Sequence, residues 1–203
     1  MHDRKFDPSR LELLNRPARL RTLDPRAIWE ELGVGKPYEV ADIGAGTGFF
    51  AVRFAPLLAP GGRIWACDVA PAMVAWMQSN LPEAVRGTVI PRTVDESRID
   101  LEDSSLELAY MINVYHELES PEATLRDIRR LLRPGGTIGI VDWRKTPTPE
   151  GPPVSHRVEE HEIIGSLQTA GFVRTRSSAR LPYHSLVVAN KPGTRDERDR
   201  IVP

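Results

Sequence analysis

The sequence predicts a doubly wound α/β domain, because short apolar runs alternate with segments of helical spacing and Gly or Pro separates them. Apolar residues recur with helical spacing over 47–58, 70–80 and 121–132. The buried strands are predicted at 38–43, Arg63–Asp68, Leu106–Ile112 and 137–142, with a weaker one at 88–91. Strands that alternate with helices in this way form a parallel sheet covered on both faces.

The last third of the chain predicts a loop, a helix and a hairpin. A proline-rich stretch follows Asp142, and its length and composition predict a surface loop that could cover a site. A helix is predicted over 159–170, and two strands follow at 172–179 and 184–189. The connection between those strands is short, so we expect them to pair as an antiparallel hairpin.

The two ends of the chain differ in character. Helices are predicted at 8–15 and Pro25–Leu32, so we assign 1–35 as an N-terminal helical segment that could act as a lid. The main domain is assigned to 36–190. The remaining residues, 191–203, are charged and poor in apolar side chains, which predicts a mobile tail.

Composition excludes several classes of protein. With 27 Lys+Arg, 28 Asp+Glu and a formal charge of -1, the chain lacks the basic excess that grips a phosphate backbone, so nucleic acid is not an expected partner. The single cysteine, Cys67, forms no internal disulfide. The first thirty residues are charged throughout, and no stretch approaches the roughly 18 apolar residues of a membrane span. We therefore expect a cytoplasmic protein with no membrane segment.

A glycine-rich loop follows the first predicted strand and carries the clearest functional signal. Gly44, Gly46 and Gly48 lie in the sequence Asp-Ile-Gly-Ala-Gly-Thr-Gly, where a strand gives way to a helix expected from about Thr47. Glycines let the backbone approach a ligand closely. Twenty residues further on, Asp68 ends the second strand and is placed to accept hydrogen bonds from two ribose hydroxyls. The pattern predicts a nucleoside site at the carboxyl edge of the sheet.

Two residues bear on which nucleoside binds. A dinucleotide fingerprint requires glycine where this loop has Phe49, which disfavours NAD. Asp42 places a carboxylate where a pyrophosphate would bring negative charge, so a cationic or zwitterionic ligand suits the loop better.

These residues resemble the class I S-adenosylmethionine-dependent methyltransferases, over about residues 38–190. The glycine loop resembles their first motif, and Leu-Leu-Arg-Pro-Gly-Gly-Thr at 131–137 resembles the motif that leads into their fifth strand. The resemblance implies a Rossmann-like sheet of seven strands, mostly parallel with an antiparallel last strand. Small bacterial enzymes similar to the ubiquinone and menaquinone biosynthesis methyltransferases are nearest in character. The resemblance further implies S-adenosylmethionine as the cofactor and a small molecule as the methyl acceptor.

The resemblance also implies a set of cofactor-binding residues. Asp68 would bind the ribose, Asp95 would meet the adenine amino group with Glu96 beside it, and Asn113 would lie near the methionine end. Met73 resembles the family's residue that lines ribose and adenine, although a methionine on an apolar helix face is equally expected in the core. The full set is Asp42, Gly44, Ala45, Gly46, Gly48, Asp68, Val69, Met73, Asp95, Glu96 and Asn113. Glu107 and the segment 99–101 depart from the family pattern.

His116 is the candidate catalytic residue. It lies in the polar cluster Asn113-Val-Tyr-His-Glu after the fourth strand, at the edge where the methyl group would emerge. If the acceptor must lose a proton, a histidine there would act as general base. The alternative interpretation is that His116 packs against a short helical turn. The five scattered histidines show no metal-ligand spacing, so no metal is expected.

Other charged and aromatic residues have a functional and an ordinary interpretation. Trp143 could form one wall of a substrate pocket or be an ordinary half-buried residue at a strand end. His156 and Arg157 are expected on a solvated loop, and Arg16 and Arg19 either lie near the cofactor carboxylate or, as is commoner, are exposed. Four arginines with helical spacing are expected on a solvated helix face: Arg126, Arg129, Arg130 and Arg133.

Two rival functions stay open on the sequence alone. An NAD(P)-dependent oxidoreductase would share the glycine loop and the strand-end acid. A non-catalytic module that binds an adenosyl nucleoside would share the whole cofactor site. The sequence leaves the acceptor, the methylated atom and the oligomeric state undefined.

Overall fold

Seven strands form one sheet in the order β3-β2-β1-β4-β5-β7-β6 in the computed structural model, which describes residues 8–193. All neighbouring strands are parallel except β7, which is antiparallel to both β5 and β6. The strands are β1 Glu39–Ile43, β2 Arg63–Asp68, β3 Val89–Thr93, β4 Leu106–Ile112, β5 Leu132–Trp143, β6 Val173–Ser178 and β7 His184–Asn190. This confirms the predicted mostly parallel sheet with an antiparallel last strand.

Within residues 8–193, five α-helices surround the sheet. They are α1 Pro25–Leu32, α2 Phe49–Phe54, α3 Pro71–Asn80, α4 Pro121–Leu131 and α5 Glu160–Thr169. Asp24 caps α1 by accepting a hydrogen bond from the Arg26 amide, and Gly33 ends that helix with a left-handed φ of 68°. Glu159 and Glu162 form a capping box at the start of α5. The predicted alternation of helices and strands is thus confirmed.

The remaining helical turns are 3-10 helices, and some bounds differ from prediction. The first two, Pro8–Asn15 and Pro17–Arg21, lie before α1, and the predicted helix at 8–15 is of this tighter type. The predicted helix at 47–58 begins later, because Gly48 has a left-handed φ of 72° and serves as the N-cap, and it ends in a 3-10 turn, Ala55–Leu57. β5 begins earlier than predicted, at Leu132, with a register shift in its pairing with β4.

Two hydrophobic clusters, one on each face of the sheet, hold the fold together. Odd and even positions of a strand point to opposite faces, so Val141 packs with α1 and α2 whereas Ile140 packs with α4 and α5. On the first face Leu32 lies so close to Gly139 that a Cβ there would come within 2.1 Å of it. Of the predicted tail, only 191–193 are described, and Phe6 of the predicted lid also lies outside the described residues.

Within residues 8–193, no helix has the length and apolar character needed to cross a membrane.

Candidate functional site

A cavity of about 1100 Å³ opens at the carboxyl edge of the sheet. Its walls include Ile43, Asp68, Ile112 and Trp143, the last residues of β1, β2, β4 and β5. Ligand sites in doubly wound folds lie at this edge. The cavity is slightly larger than the roughly 300–1,000 Å³ of small-molecule pockets, so its volume is sufficient for a cofactor and a small acceptor.

The glycine loop forms the floor of the cavity. Gly44, Gly46 and Gly48 have left-handed φ values of 71°, 57° and 72°. The amides of Gly44 and Ala45 both donate to the Cys67 carbonyl, at 2.8 and 2.9 Å, which ties the loop to β2. A Cβ at Gly44 would lie 2.5 Å from the Val114 side chain. The glycines therefore serve both the turn and the close packing of β1 against the segment after β4.

Asp68 lies beside this loop and faces the same cavity. Its carboxylate accepts hydrogen bonds from the amides of Gly46, at 2.7 Å, and Ala70, at 2.9 Å. Burial raises the pKa of Asp68, and the backbone amides act in the opposite direction. Each carboxylate oxygen has two lone pairs, so two backbone bonds leave acceptor capacity toward the cavity.

Asp42 is buried at the end of β1, on the face occupied by Phe50 and Tyr110. Burial raises the pKa of its carboxyl to about 7, and the nearby charge of Asp68 adds to the shift. The Tyr110 hydroxyl and the Arg19 guanidinium favour the ionised form and limit the rise. The Tyr110 oxygen is itself buried without a hydrogen bond of ordinary geometry among the described residues. Asp42 is thus a carboxyl whose ionisation a nearby cation would promote.

Three further predicted residues line the cavity beside Asp68, one directly after β2, one on α3 and one after β3. Val69 is 42 % exposed although apolar, and its exposed face belongs to the cavity wall. Met73 is buried at 3 % exposure and lines the cavity, whereas Met77, one helical turn later, packs in the core. Asp95 is exposed and faces the same space.

Glu96 also borders the cavity, but its carboxylate has a structural partner. It accepts hydrogen bonds from the amides of Glu119, at 2.7 Å, and Ser120, at 3.1 Å. These amides precede α4, so Glu96 ties the segment after β3 to the start of that helix. The sequence gives no sign of this contact, which joins residues more than twenty positions apart.

Asn113 has a backbone conformation that non-glycine residues seldom adopt, with φ of 62°. Its amide donates to the Val141 carbonyl at 2.8 Å, which fixes the strained turn after β4. The side-chain Oδ1 is buried, faces the cavity wall and has no hydrogen-bond partner among residues 8–193. A strained residue with an unpartnered polar atom in a cavity indicates a ligand contact.

His116 and Asp142 form a buried pair at the opposite end of the cavity. The His116 Nδ1 lies 2.7 Å from Asp142 Oδ1, and the His116 amide donates to Asp142 Oδ2 at 2.9 Å. Both side chains are nearly inaccessible, at 5 % and 1 % exposure. With Nδ1–H donated to the carboxylate, Nε2 carries the free lone pair, and it lies 3.7 Å from Glu117 Oε1.

The pKa of His116 is raised above its ordinary value. Burial alone would lower it, but the hydrogen bond and negative charge of Asp142, with a smaller contribution from Glu117, outweigh that effect. A histidine oriented by a carboxylate, with its other nitrogen in a ligand cavity, has the arrangement of a general base.

The proline-rich loop after β5 closes the same end of the cavity, and Arg157 holds it. Arg157 is buried at 4 % exposure, which contradicts the expectation of a solvated side chain. Its guanidinium donates to the carbonyls of Pro152 at 2.9 Å, Thr146 at 2.8 Å, Arg144 at 3.1 Å and Glu150 at 3.3 Å. An ordered loop, rather than a freely moving one, therefore borders the site.

Trp143 packs against this loop. Gly151 lies against the indole, where a Cβ would come within 2.9 Å of the ring, and the His184 ring packs at a centroid distance of 4.1 Å. The Arg157 guanidinium lies 5.1 Å from the indole centroid. Trp143 is therefore 9 % exposed and reaches the cavity wall as one member of a packed cluster. His156, on the 3-10 turn Val154–His156, also lines the cavity.

The N-terminal segment lies over the glycine loop. Leu14 packs against Gly46, where a Cβ would come within 3.0 Å, and the Thr47 hydroxyl donates to Asn15 Oδ1 at 2.9 Å. Arg19 lines the cavity with its guanidinium 4.8 and 5.2 Å from the ring centroids of Phe49 and Phe50. The commoner expectation of an exposed arginine holds for Arg16 and is wrong for Arg19.

The arginines of α4 differ from the uniformly solvated face that was expected. Arg126 is 62 % exposed, but Arg130 is only 18 % exposed and is paired with Asp127 and Asp103. Arg133 does not belong to the helix as predicted, because β5 begins at Leu132, and it is paired with Glu107 at 2.7 Å. Within the described part of the chain, no group of three or more His, Cys, Asp or Glu side chains could hold a metal ion.

The structure thus places all the predicted site residues on the wall of one cavity except Gly48, which packs against Met77 and Leu81. Sequence reasoning missed three contributors: Asp142 as the partner of His116, Arg157 as the support of the loop, and Glu96 as a backbone acceptor. The position of Asp142 at the end of a strand was the one available signal. Its pairing with His116 depends on β4 and β5 being neighbours, which is a property of the sheet order.

Comparisons with known proteins agree with this site. Residues 41–138 match the family described as Methyltransferase domain. A ubiquinone/menaquinone biosynthesis C-methyltransferase, UbiE, from Cupriavidus taiwanensis is 28% identical over 116 residues, which cover 57% of this chain. The chain spans only 47% of the length of that relative.

Solved structures extend the similarity to almost the whole chain. A SAM-dependent methyltransferase from Aquifex aeolicus superposes with a TM-score of 0.87 at 29% identity, over 92% of this chain and 99% of the other. The [4+2]-cyclase SpnF shares the fold at a TM-score of 0.71 and 18% identity, over 83% of this chain and 80% of that one. One fold therefore carries more than one chemistry, and the site must define which.

The chain is thus similar, in fold and over residues 41–138 in sequence, to S-adenosylmethionine-dependent methyltransferases. Within that class, the chain is similar to UbiE-type enzymes and to the Aquifex aeolicus protein.

Proposed function

We propose that this chain transfers a methyl group from S-adenosylmethionine to a small-molecule acceptor whose nucleophile loses a proton to His116. The observation that carries the proposal is the His116–Asp142 pair, which faces the same cavity as the glycine loop and Asp68. The similarity to UbiE, a C-methyltransferase of quinone biosynthesis, supports a small-molecule acceptor.

The residues present fit S-adenosylmethionine. Asp68 has acceptor capacity for ribose hydroxyls, and Val69 and Met73 offer an apolar surface to the base. Asp42 supplies a carboxylate for an ammonium group, and Asn113 Oδ1 is a buried acceptor with no donor among residues 8–193. Asp95 is exposed at the adenine end, and Glu96 would act by holding that wall in place.

When bound, S-adenosylmethionine supplies a methyl group already activated on a sulfonium. The chain therefore contributes mainly orientation, which can lower a barrier by about 7–11 kcal/mol. Removal of a proton by an oriented histidine adds about 10²–10⁴ in rate. Asp142 accepts one hydrogen bond from the His116 ring at Nδ1 and another from the His116 backbone amide, and the ring bond keeps Nε2 as the basic nitrogen.

The acceptor would occupy the part of the cavity between His116 and the proline-rich loop. Pro152, Pro153 and the edge of Trp143 give this part an apolar wall, and Glu117 and His156 give it polar groups. The loop is preorganised by Arg157, so acceptor binding need not order it first.

Several expectations from the sequence stay proposals. The division into segments 1–35, 36–190 and 191–203, with the first acting as a lid, is one of them. A cytoplasmic location and the absence of nucleic acid among the partners are others.

Thermal unfolding with four ligands in parallel tests the cofactor. At a hundred times its dissociation constant a ligand stabilises the fold by about 2.7 kcal/mol. We expect S-adenosylmethionine and S-adenosylhomocysteine to raise the unfolding midpoint and NAD and NADP to leave it unchanged. A rise with NAD or NADP would mean that the site belongs to an oxidoreductase, and cofactor binding without transfer across a broad acceptor screen would indicate a binding module.

Asp68→Ala is expected to weaken S-adenosylmethionine binding about tenfold or more, because a charge-assisted hydrogen bond is worth about 1.5–3 kcal/mol. Isothermal titration measures the change. Glu107→Gln is the matched control, since that carboxylate is outside the cavity and pairs with Arg133. Equal affinities for the Ala variant and the parent chain would remove Asp68 from the site.

Asp42→Asn is expected to change stability and binding in opposite directions. The folded-state pKa of about 7 lies above the ordinary 3.8, so ionisation of Asp42 costs folding free energy that accumulates as pH rises between those values. The amide variant should therefore gain stability over the parent at pH 8 and show little gain at pH 4. Its affinity for the cofactor should fall, because the ammonium loses its carboxylate partner.

Urea unfolding at several pH values, paired with titration of S-adenosylmethionine, measures both effects. Between pH 5.5 and 7.5 the parent chain should bind more tightly as pH rises, and the Asn variant should show no such trend. Reduced stability of the variant at pH 8 would show that the Asp42 carboxylate is stabilised by its surroundings rather than strained.

A further inference from the structure

We propose that Arg19 is the counter-ion of the cofactor's α-carboxylate, so that the N-terminal segment is part of the binding site and not only its cover. The proposal rests on the assignment of S-adenosylmethionine as the cofactor. It concerns an arginine that comes from outside the matched family region, residues 41–138.

The placement of Arg19 carries the inference. It lines the cavity from the 3-10 helix Pro17–Arg21, with its guanidinium over the rings of Phe49 and Phe50. These two phenylalanines follow the glycine loop directly, so the guanidinium lies above the loop where the methionine part of the cofactor is expected. Leu14 and Asn15 anchor the same segment to Gly46 and Thr47.

Toward the part of the chain that the structure describes, the Arg19 guanidinium uses few of its donors. A guanidinium has five N–H groups. Among the described residues, one bond is formed, from Nη1 to the Leu14 carbonyl at 2.5 Å. A half-buried guanidinium with four further donors in a ligand cavity is suited to an oxyanion, which it binds in bidentate geometry.

The charges around Arg19 also favour an anionic ligand. Burial lowers the pKa of Arg19 to about 10, and the like charge of Arg53 contributes to the shift. Arg53 also lies against the Phe49 ring, 3.5 Å from its centroid. Asp42 and Glu150 act in the opposite direction, but the Asp42 carboxyl, with a pKa of about 7, is only partly ionised at neutral pH.

Arg19 and Asp42 together match the zwitterion of an amino acid. Each affects the ionisation of the other, so the two charges lie at the same end of the cavity. The ammonium group would face Asp42 and the carboxylate would face Arg19. A neutral or purely cationic ligand would leave the desolvated guanidinium uncompensated.

Binding of two ligands that differ only in the carboxylate tests the proposal. S-Adenosylmethionine and decarboxylated S-adenosylmethionine are titrated into the full chain and into Arg19→Gln, Arg19→Lys and Arg21→Gln. The Gln variant should bind S-adenosylmethionine about 10–100-fold more weakly and the decarboxylated ligand within about threefold of the parent. The affinity of the Lys variant for S-adenosylmethionine should lie between those of the parent and the Gln variant, because an ammonium keeps the charge but not the bidentate geometry.

The control and the contrary outcomes are distinct. Arg21, on the same turn, is exposed and outside the cavity wall, so its variant should bind both ligands like the parent. The proposal would be overturned if Arg19→Gln weakened binding of both ligands equally, or weakened neither. In the second case Arg19 would instead be available to an anionic acceptor. The ratio of the two affinities within one variant does not depend on the fraction folded. Failure of the parent chain to bind either ligand would instead refute the proposed function.

Discussion

Replacing His116 by glutamine is expected to lower the rate of methyl transfer by about 10²–10⁴, with little change in S-adenosylmethionine affinity. Glutamine keeps polarity and approximate size but cannot accept a proton at neutral pH. The measurement is turnover with an acceptor that the parent chain methylates, alongside titration of the cofactor. Undiminished turnover would show that His116 only packs the turn Tyr115–Glu117 and that the acceptor loses its proton elsewhere.

The pH dependence of turnover provides the companion test. The free base must be neutral, and its pKa is raised, so activity should increase as pH rises through a value above the ordinary 6.5. Asp142→Asn should move that midpoint to lower pH, because His116 loses the negative charge of its partner. It should also lower the maximal rate, because the ring is less well oriented. A midpoint unchanged by Asp142→Asn would exclude His116 as the titrating group.

Folding stability should follow the opposite trend. A histidine whose folded pKa is raised stabilises the fold fully below its unfolded pKa of about 6.5, and the contribution disappears as pH rises through the folded value. The protonated pair with Asp142 therefore stabilises the protein at acidic pH, where His116 cannot act as a base.

Arg157→Gln is expected to release the loop after β5 while leaving the cofactor end intact. The change removes a charged donor from four main-chain carbonyls, at a cost on the order of 3 kcal/mol. If that cost is confined to the loop, amide exchange over 144–156 should accelerate by about 100-fold. Affinity for S-adenosylmethionine should stay within about threefold.

Hydrogen exchange followed by mass spectrometry localises the effect. Arg157→Lys should restore little of the protection of the loop amides, since an ammonium lacks the planar array of donors that reaches four carbonyls. Arg126→Gln is the control, because that surface arginine is 62 % exposed and pairs with an exposed glutamate. Loss of cofactor affinity in Arg157→Gln would show that the loop also forms part of the cofactor site.

Much of the fold could be predicted from local patterns. Arg63–Asp68, Leu106–Ile112 and Pro25–Leu32 have the predicted bounds, because apolar runs, a cap and a terminal glycine are local signals. The late start of α2 and the early start of β5 depend on backbone conformations, the left-handed Gly48 and a shifted strand register, that no side-chain pattern specifies.

The residues of the site likewise fall into those that the sequence predicts and those that it does not. The residues of the proposed cofactor site could be predicted from the resemblance to a known family, and all of them except Gly48 line one cavity. Asp142 and Arg157 act through neighbours that are distant in sequence, and a charged residue on a proline-rich loop ordinarily indicates solvent. Their roles follow from strand order and from burial, so they became apparent only with the packed structure.

The contacts of Arg157 have a consequence for how acceptor preference could diversify. The guanidinium binds main-chain carbonyls, which every amino acid supplies, so most side chains between 144 and 153 can change without loss of what supports the loop. Gly151 is the exception, since any larger residue would meet the Trp143 ring. Libraries that vary this stretch while retaining Trp143, Gly151 and Arg157 would therefore sample new acceptors on an unchanged scaffold.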